Sequence, residues 1–248
     1  MRVDAVVLGA GVIGVSIACH LQMKGRSTVL IDRRGPAEET SYGNAGLIQR
    51  EGVYPYGFPH DFGALLRYAW NNTIDAHYHP RAVFHLAPFL WEYWWQSRPK
   101  RHAAIARQYA TLIEHCVAEH DSLAEAAGAT GLIHRTGWIK AFRTAAERDA
   151  RLGEAERWKS EYGLNYQALD ARELAEKEPS LSPILIGGLH WTDPTAVRDP
   201  GQLVNAYADH FQKLGGRFLK ADARTLSRNG EGWSVKAWSG EMILARDA

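Results

Sequence analysis

The stretch from Val6 to Arg33 limits what this chain can fold into more than any other. It reads V-V-L-G-A-G-V-I-G-V-S-I-A-C-H-L-Q-M-K-G-R-S-T-V-L-I-D-R. Ala5 to Leu8 is a short apolar run of the kind that makes a buried parallel strand. Gly9, Gly11 and Gly14 follow it as G-x-G-x-x-G, and Val12, Val15, Ala18 and Leu21 then recur at helical spacing. Gly25 stops that helix, and Val29 to Ile31 form a second strand that ends in Asp32. In such a unit the first glycine allows the tight turn, the second lets a pyrophosphate approach the backbone, and the third lets the helix lie close on the strand. The free N–H groups near Val12 and Ile13 then face the phosphates, and the Asp32 carboxylate is placed to accept hydrogen bonds from a ribose. Alone, the glycine pattern describes a turn found in many α/β proteins. Its strand–turn–helix–strand setting, with an acid about 20 residues on, predicts a dinucleotide site.

The 248 residues suffice for one large or two modest domains. With 46% apolar and 23% charged residues the composition is globular. A net charge of +1 and scattered basic residues give no electrostatic case for nucleic acid. No apolar run is long enough to span a membrane. The first strand begins by Val3, which leaves no room for a secretory leader. Cys19 and Cys116 share no metal or redox spacing. The expectation is therefore a cytoplasmic protein. His77, His79 and His85 lack acids at useful spacing, so no metal is expected.

Further along, Pro88 to Gln96 (P-F-L-W-E-Y-W-W-Q) reads as a short helix. Its Trp cluster could line a substrate pocket, pack between domains, or rest on the surface of the inner membrane. Residues 102–127 read as one amphipathic helix with Ile105, Tyr109, Leu112, Cys116, His120, Leu123 and Ala127 on a single stripe. On that stripe Cys116 and His120 read as core side chains rather than as a nucleophile and its base. Leu132–Phe142, Asn165–Leu169 and Ile184–Trp191 are strand-like, and Thr144 and Asp170 open capping boxes. Asp199-Pro200 starts a helix that runs to Leu214. Arg217–Lys220 is a strand, and Arg224–Arg228, Trp233–Trp238 and Glu241–Arg246 form an antiparallel meander with turns at Asn229-Gly230 and Ser239-Gly240, laid on the parallel sheet.

The loop Thr40-Ser41-Tyr42-Gly43-Asn44-Ala45-Gly46 makes the reading more specific. With the extended glycine fingerprint through Asp32-Arg33, it resembles the T-S-x-x-N-A-G of the D-amino-acid oxidase-like (DAO) family of FAD-dependent oxidoreductases, and most of all its D-amino-acid dehydrogenase branch. Glu178-Pro179-Ser180-Leu181 is similar to that family's E-P-x-L. The resemblance implies an α/β fold: a Rossmann-like FAD-binding domain, parallel sheet plus antiparallel meander, with an inserted α+β substrate domain. The FAD-binding domain would be residues 1–55 and 197–248, and the substrate domain residues 56–196.

By the same resemblance Gly9, Gly11, Val12, Ile13, Gly14, Asp32, Arg33 and Ser41 would hold the dinucleotide. Asn44, Ala45 and Gly46 would lie by the isoalloxazine, and the Ala223 backbone would meet the adenine. The implied reaction is oxidation of the C–N bond of a D-amino acid or secondary amine by hydride transfer to flavin, with oxygen, a quinone or a dye as electron acceptor. Relatives continue past a strand such as Ile243–Arg246 into A-x-G-x-W and a part that supplies a substrate-binding arginine. The resemblance therefore implies the N-terminal part of that architecture, a fragment with an open edge near the Val29 strand and catalytic residues elsewhere. Two other functions stay open: a non-catalytic fragment or a subunit completed by another chain, and an NAD-dependent dehydrogenase, with which Asp32 is compatible.

Overall fold

The computed structural model describes residues 1–74 and 77–248. The chain runs β1 (Arg2–Leu8), α1 (Val12–Met23), β2 (Thr28–Asp32), β3 (Leu47–Ile48), α2 (Phe62–Ala69), α3 (Pro80–Gln96), α4 (Pro99–Ile113) and α5 (Cys116–Ala126). It continues through β4 (Ile133–His134), β5 (Trp138–Phe142), α6 (Ala145–Tyr162), β6 (Tyr166–Asp170), α7 (Ala171–Lys177), β7 (Gly187–Trp191) and β8 (Thr195–Val197). The last elements are α8 (Pro200–Lys213), β9 (Arg217–Lys220), β10 (Ser227–Asn229), β11 (Gly232–Lys236) and β12 (Met242–Asp247).

The two ends of the chain build one six-stranded sheet in the order β10-β11-β12-β1-β2-β9. The strands β12, β1, β2 and β9 run parallel, and β10, β11 and β12 antiparallel. Side chains alternate across the sheet as the two-residue period of a strand requires. Val7 and Leu30 face a core shared with α1 and α8, through Val15, Ala18, Leu203, Tyr207 and Phe211. Val6, Val29 and Ile31 face the opposite core, with Ala221, Val235, Ile243 and Ala245. Covered on both faces, β2 is a continuous buried run, as parallel strands are.

The meander extends this sheet in its own plane instead of lying on it, because β12 uses both edges, one for β11 and one for β1. The strand at Val29 is likewise not an open edge: β1 and β9 pair with it on either side. The β1–β12 register ends at Ala5 opposite Asp247, so among the described residues Val6 to Leu8 have no neighbour on that side.

Between these halves lies a second body. The antiparallel sheet β5-β7-β6 packs on α6 around Phe142, Ala155, Leu164, Leu189 and Trp191, and Val53 joins this core. A small sheet, β3-β8-β4, links it to the first body. Asp170 forms a complete capping box with Glu173, and Thr144 accepts from the Glu147 amide alone.

The middle of the chain departs from the sequence reading in three places. The helix over 102–127 is two helices, broken at Glu114-His115. The α4 half of its apolar stripe does not face the core, because α4 buries His102, Ala106 and Ala110 and leaves Leu112 exposed, whereas in α5 the stripe residue Leu123 is buried in the core. The aromatic helix begins at Pro80, not Pro88, with Pro80 at a first-turn position where its missing N–H costs nothing. Its Trp cluster is not sealed between bodies: Trp91 is exposed, and the Arg98 guanidinium lies 4.8 Å from the Trp94 ring and 3.6 Å from that of Trp95. The strand over 132–142 divides at Gly137, β4 joining one sheet and β5 another.

Phe211 is fully buried where α8 meets the sheet that carries the glycine turn. Phe211→Ala should lower stability by about 3–5 kcal/mol, read from the midpoint of urea unfolding. A change below about 1 kcal/mol would mean that this face is not a packed core.

Candidate functional site

The site begins where β1 ends. Gly9 takes a left-handed φ of +98°, which turns the chain sharply into α1. A Cβ on Gly14 would stand 1.8 Å from the Gly9 carbonyl oxygen, so the helix can lie this close to the turn only without a side chain there. A Cβ on Gly11 would sit 3.3 Å from the Ser41 hydroxyl. That hydroxyl accepts a hydrogen bond from the Val12 amide at 2.9 Å, and Ser41 is only 5% exposed. The loop around Ser41 is thereby held against the helix N-terminus, 29 residues away in sequence. No acid lies in the first turn of α1, so no side chain there neutralises the positive end of its dipole. Ile13, at 74% exposure, leaves this end open.

Asp32 is fixed beside the same turn. Its Oδ2 accepts from the Ala10 amide at 2.7 Å and its Oδ1 from the Arg34 amide at 3.0 Å. Glu39 ties the following loop down through Arg34 at 3.2 Å, with Arg33 at 3.9 Å. The Ala221 amide donates to the Asp32 carbonyl at 2.9 Å, bringing the end of β9 to the same place. There Asp222 pairs with Arg224 at 2.6 Å, and the hydrogen bonds from Arg224 hold its carboxyl down at about 2. Ala223 follows, exposed.

The structure thus gathers Gly9, Gly11, Val12, Ile13, Gly14, Asp32, Arg33, Ser41 and Ala223 around one strand end and helix start. Asn44, Ala45 and Gly46 are anchored differently. The Asn44 Oδ1 accepts from the Gly46 amide at 2.8 Å, and the Gly46 carbonyl accepts from the Val197 amide of β8 at 2.6 Å.

Directly beyond, β3 opens onto a cavity of about 640 Å³. Trp138 and Lys140 of β5, with Leu189 and Trp191 paired opposite them on β7, form one wall. Glu51 lines it too, only 5% exposed. The Glu51 Oε1 accepts from Trp138 Nε1 at 2.7 Å and from Gln49 Nε2 at 2.9 Å, while its Oε2 is buried with no partner. Burial pushes this carboxyl above the usual carboxylate range. The sequence reading missed Glu51, whose one local signal is an acid three residues past an apolar pair.

Cys116 and His120 line the same cavity. Burial raises the Cys116 thiol and lowers His120, and the His120 Nδ1 lies 3.2 Å from the Tyr207 hydroxyl. Both shifts oppose a thiolate–imidazolium pair.

The raised Glu51 has a consequence for stability. A carboxyl raised in the folded state contributes stability that is complete below its unfolded value and is lost as pH rises through the folded value. Glu51→Gln is isosteric and cannot ionise. The melting temperature of the variant minus that of the parent should therefore grow as pH rises from about 4 towards 8. Thermal unfolding across this range checks it, and a constant difference would contradict the burial of a titrating carboxyl.

Comparison with known proteins gives the family and the fold. Residues 4–246 match the family model DAO, FAD dependent oxidoreductase. The chain is 31% identical over 230 residues to a D-amino-acid oxidase of Bradyrhizobium diazoefficiens, covering 90% of this chain and 53% of that one. It is 29% identical over 194 residues to a D-amino acid dehydrogenase of Chromohalobacter salexigens, covering 77% and 46%. Among solved structures, glycine oxidase from Geobacillus kaustophilus superposes with a TM-score of 0.63 at 20% identity, over 99% of this chain and 54% of that one. The chain spans about half the length of the curated relatives it matches. With its glycine turn, its parallel sheet and a family match over nearly all its residues, the chain belongs to the DAO family of FAD-dependent oxidoreductases.

Proposed function

We propose that the protein binds FAD at the β1–α1 turn and oxidises the C–N bond of an amino acid, a D-amino acid first, with secondary amines as the wider class. The observation that carries this reading is the Ser41 hydroxyl on the Val12 amide. It places the family's second loop against the helix start, where a nicotinamide-type unit would bring no such loop.

The residues present fit the cofactor. The Ile13 amide, with Gly11 free of a side chain, would face the pyrophosphate, and Ser41, whose oxygen is held by the Val12 amide, would donate its hydroxyl. The Asp32 carboxylate, already oriented by two amides, would accept from the adenosine ribose. The backbone at Ala223 would meet the adenine beside Arg33. Asn44, Ala45 and Gly46, anchored on β8, would border the ring. Residues 1–55 and 197–248 would then form the cofactor domain and residues 56–196 the substrate domain.

Bound FAD supplies a two-electron acceptor for the hydride leaving the substrate α-carbon. The chain's own part is to position that carbon and to limit water around it. The cavity walled by Trp138 and Trp191 provides an apolar surface for this, and the imine released is hydrolysed by water.

The full-length protein reconstituted with FAD and mixed anaerobically with D-alanine should lose its oxidised-flavin absorbance, and sarcosine should do so more slowly. A protein that holds FAD and is reduced by neither would overturn the reading. Asp32→Ala removes charge-assisted hydrogen bonds worth about 1.5–3 kcal/mol, so FAD affinity should fall roughly ten-fold or more. Gly11→Val should abolish FAD binding with helix content retained by circular dichroism, since a side chain there fills the space between backbone and phosphate.

A further inference from the structure

We infer that the cavity behind β3 carries an ammonium-binding subsite anchored by Glu51, which recognises the amino group of the substrate; the inference rests on the amino-acid-oxidising reading above.

Both donors that reach the Glu51 carboxyl, Trp138 Nε1 and Gln49 Nε2, converge on Oε1, and Oε2 is buried without a partner. Burial raises this carboxyl, against the two N–H donors, which favour the ionised form. No Lys, Arg or His forms an ion pair with Glu51 among the described residues. The adjacent Arg50 turns its Nη2 to the Tyr162 carbonyl at 3.3 Å and leaves its Nη1 buried without a partner, with no ion pair to Glu51. Lys140 stands on the same cavity wall and still makes no ion pair with it. A buried carboxyl with one oxygen left without a partner is costly to keep. A ligand ammonium would supply the missing charge and a donor for Oε2.

The walls suit a cation as well. Trp138, Trp191 and Tyr54 line the cavity, and indole and phenol faces attract an ammonium group. The geometry is also rigid. Trp138 sits in the β5–β7 ladder directly opposite Trp191, so the donor that holds Oε1 belongs to a sheet rather than a loop. Glu51 follows β3 by three residues, and β3 follows the Asn44–Gly46 anchor directly. The subsite therefore adjoins the segment assigned above to the flavin ring, where the α-carbon and its amino group must lie.

The test uses the intrinsic Trp fluorescence of the protein without added FAD, titrated with D-alanine and with propionate, which has the same skeleton and no amino group. D-alanine should quench the fluorescence saturably. Glu51→Gln should weaken D-alanine roughly ten- to hundred-fold and leave propionate within about two-fold. Glu51→Asp, which keeps the charge, should lose less than Glu51→Gln. Equal losses for both ligands, unchanged D-alanine affinity in Glu51→Gln, or no D-alanine response in the parent would each overturn the subsite. FAD affinity, measured separately, should not differ among the variants. A parent that fails to bind FAD while D-alanine binding still depends on Glu51 would sink the flavoenzyme reading and leave the subsite standing.

Discussion

The approach of Gly14 to the Gly9 carbonyl is the constraint on which the rest depends. Any side chain at Gly14 would stand within 1.8 Å of that oxygen. The helix can therefore lie directly on the turn, and its first amides emerge at the end of a buried parallel strand. A side chain at Gly14 would hold α1 away from the turn and disturb the Val12–Ser41 contact, one of the points, with the Ala37 amide on the Ala10 carbonyl, at which the loop after β2 docks. A single missing Cβ thus links the packing of the sheet to the opening of the site.

The sheet supplies the second half of the arrangement. β2 delivers Asp32 to the turn because it is buried on both faces and paired on both edges, which fixes its register. β9 then brings Ala221 to the Asp32 carbonyl. Residues from the two ends of the chain therefore meet around Asp32, the N-terminal turn on its carboxylate and β9 on its main-chain carbonyl. The second body lies between those ends in sequence and places its sheet face, Trp138 and Trp191, beside the exit from β3. The glycine-turn body and the Trp138–Trp191 sheet face adjoin because β3 and β8, each at the junction of the two bodies, pair with each other.

Much of this was legible in the residues. The glycine spacing, the apolar runs of β1 and β2 and the acid at Asp32 depend on local sterics, which sequence records directly. So do the Asp199-Pro200 helix start and the Asp170–Glu173 box. What was not legible depends on partners distant in sequence. The periodic stripe from Ile105 to Ala127 located the buried Leu123 but not the covered face of α4, which is Ala106 and Ala110 instead. The meander strands were recognised, but their joining the parallel sheet edge to edge depends on β12 pairing with β1, more than two hundred residues apart. Glu51 looks like an ordinary loop acid until Trp138, 87 residues on, is seen to hold it.

The account stands most directly on which dinucleotide the Gly9–Gly14 turn and the Ser41 loop accept together. Calorimetric titration of the purified protein with FAD and, separately, with NAD decides it. Saturable binding of FAD, with NAD at least ten-fold weaker, is the result this geometry predicts. Tight NAD binding without FAD binding would contradict it, and the Ser41 contact would then be a helix cap with no cofactor to serve.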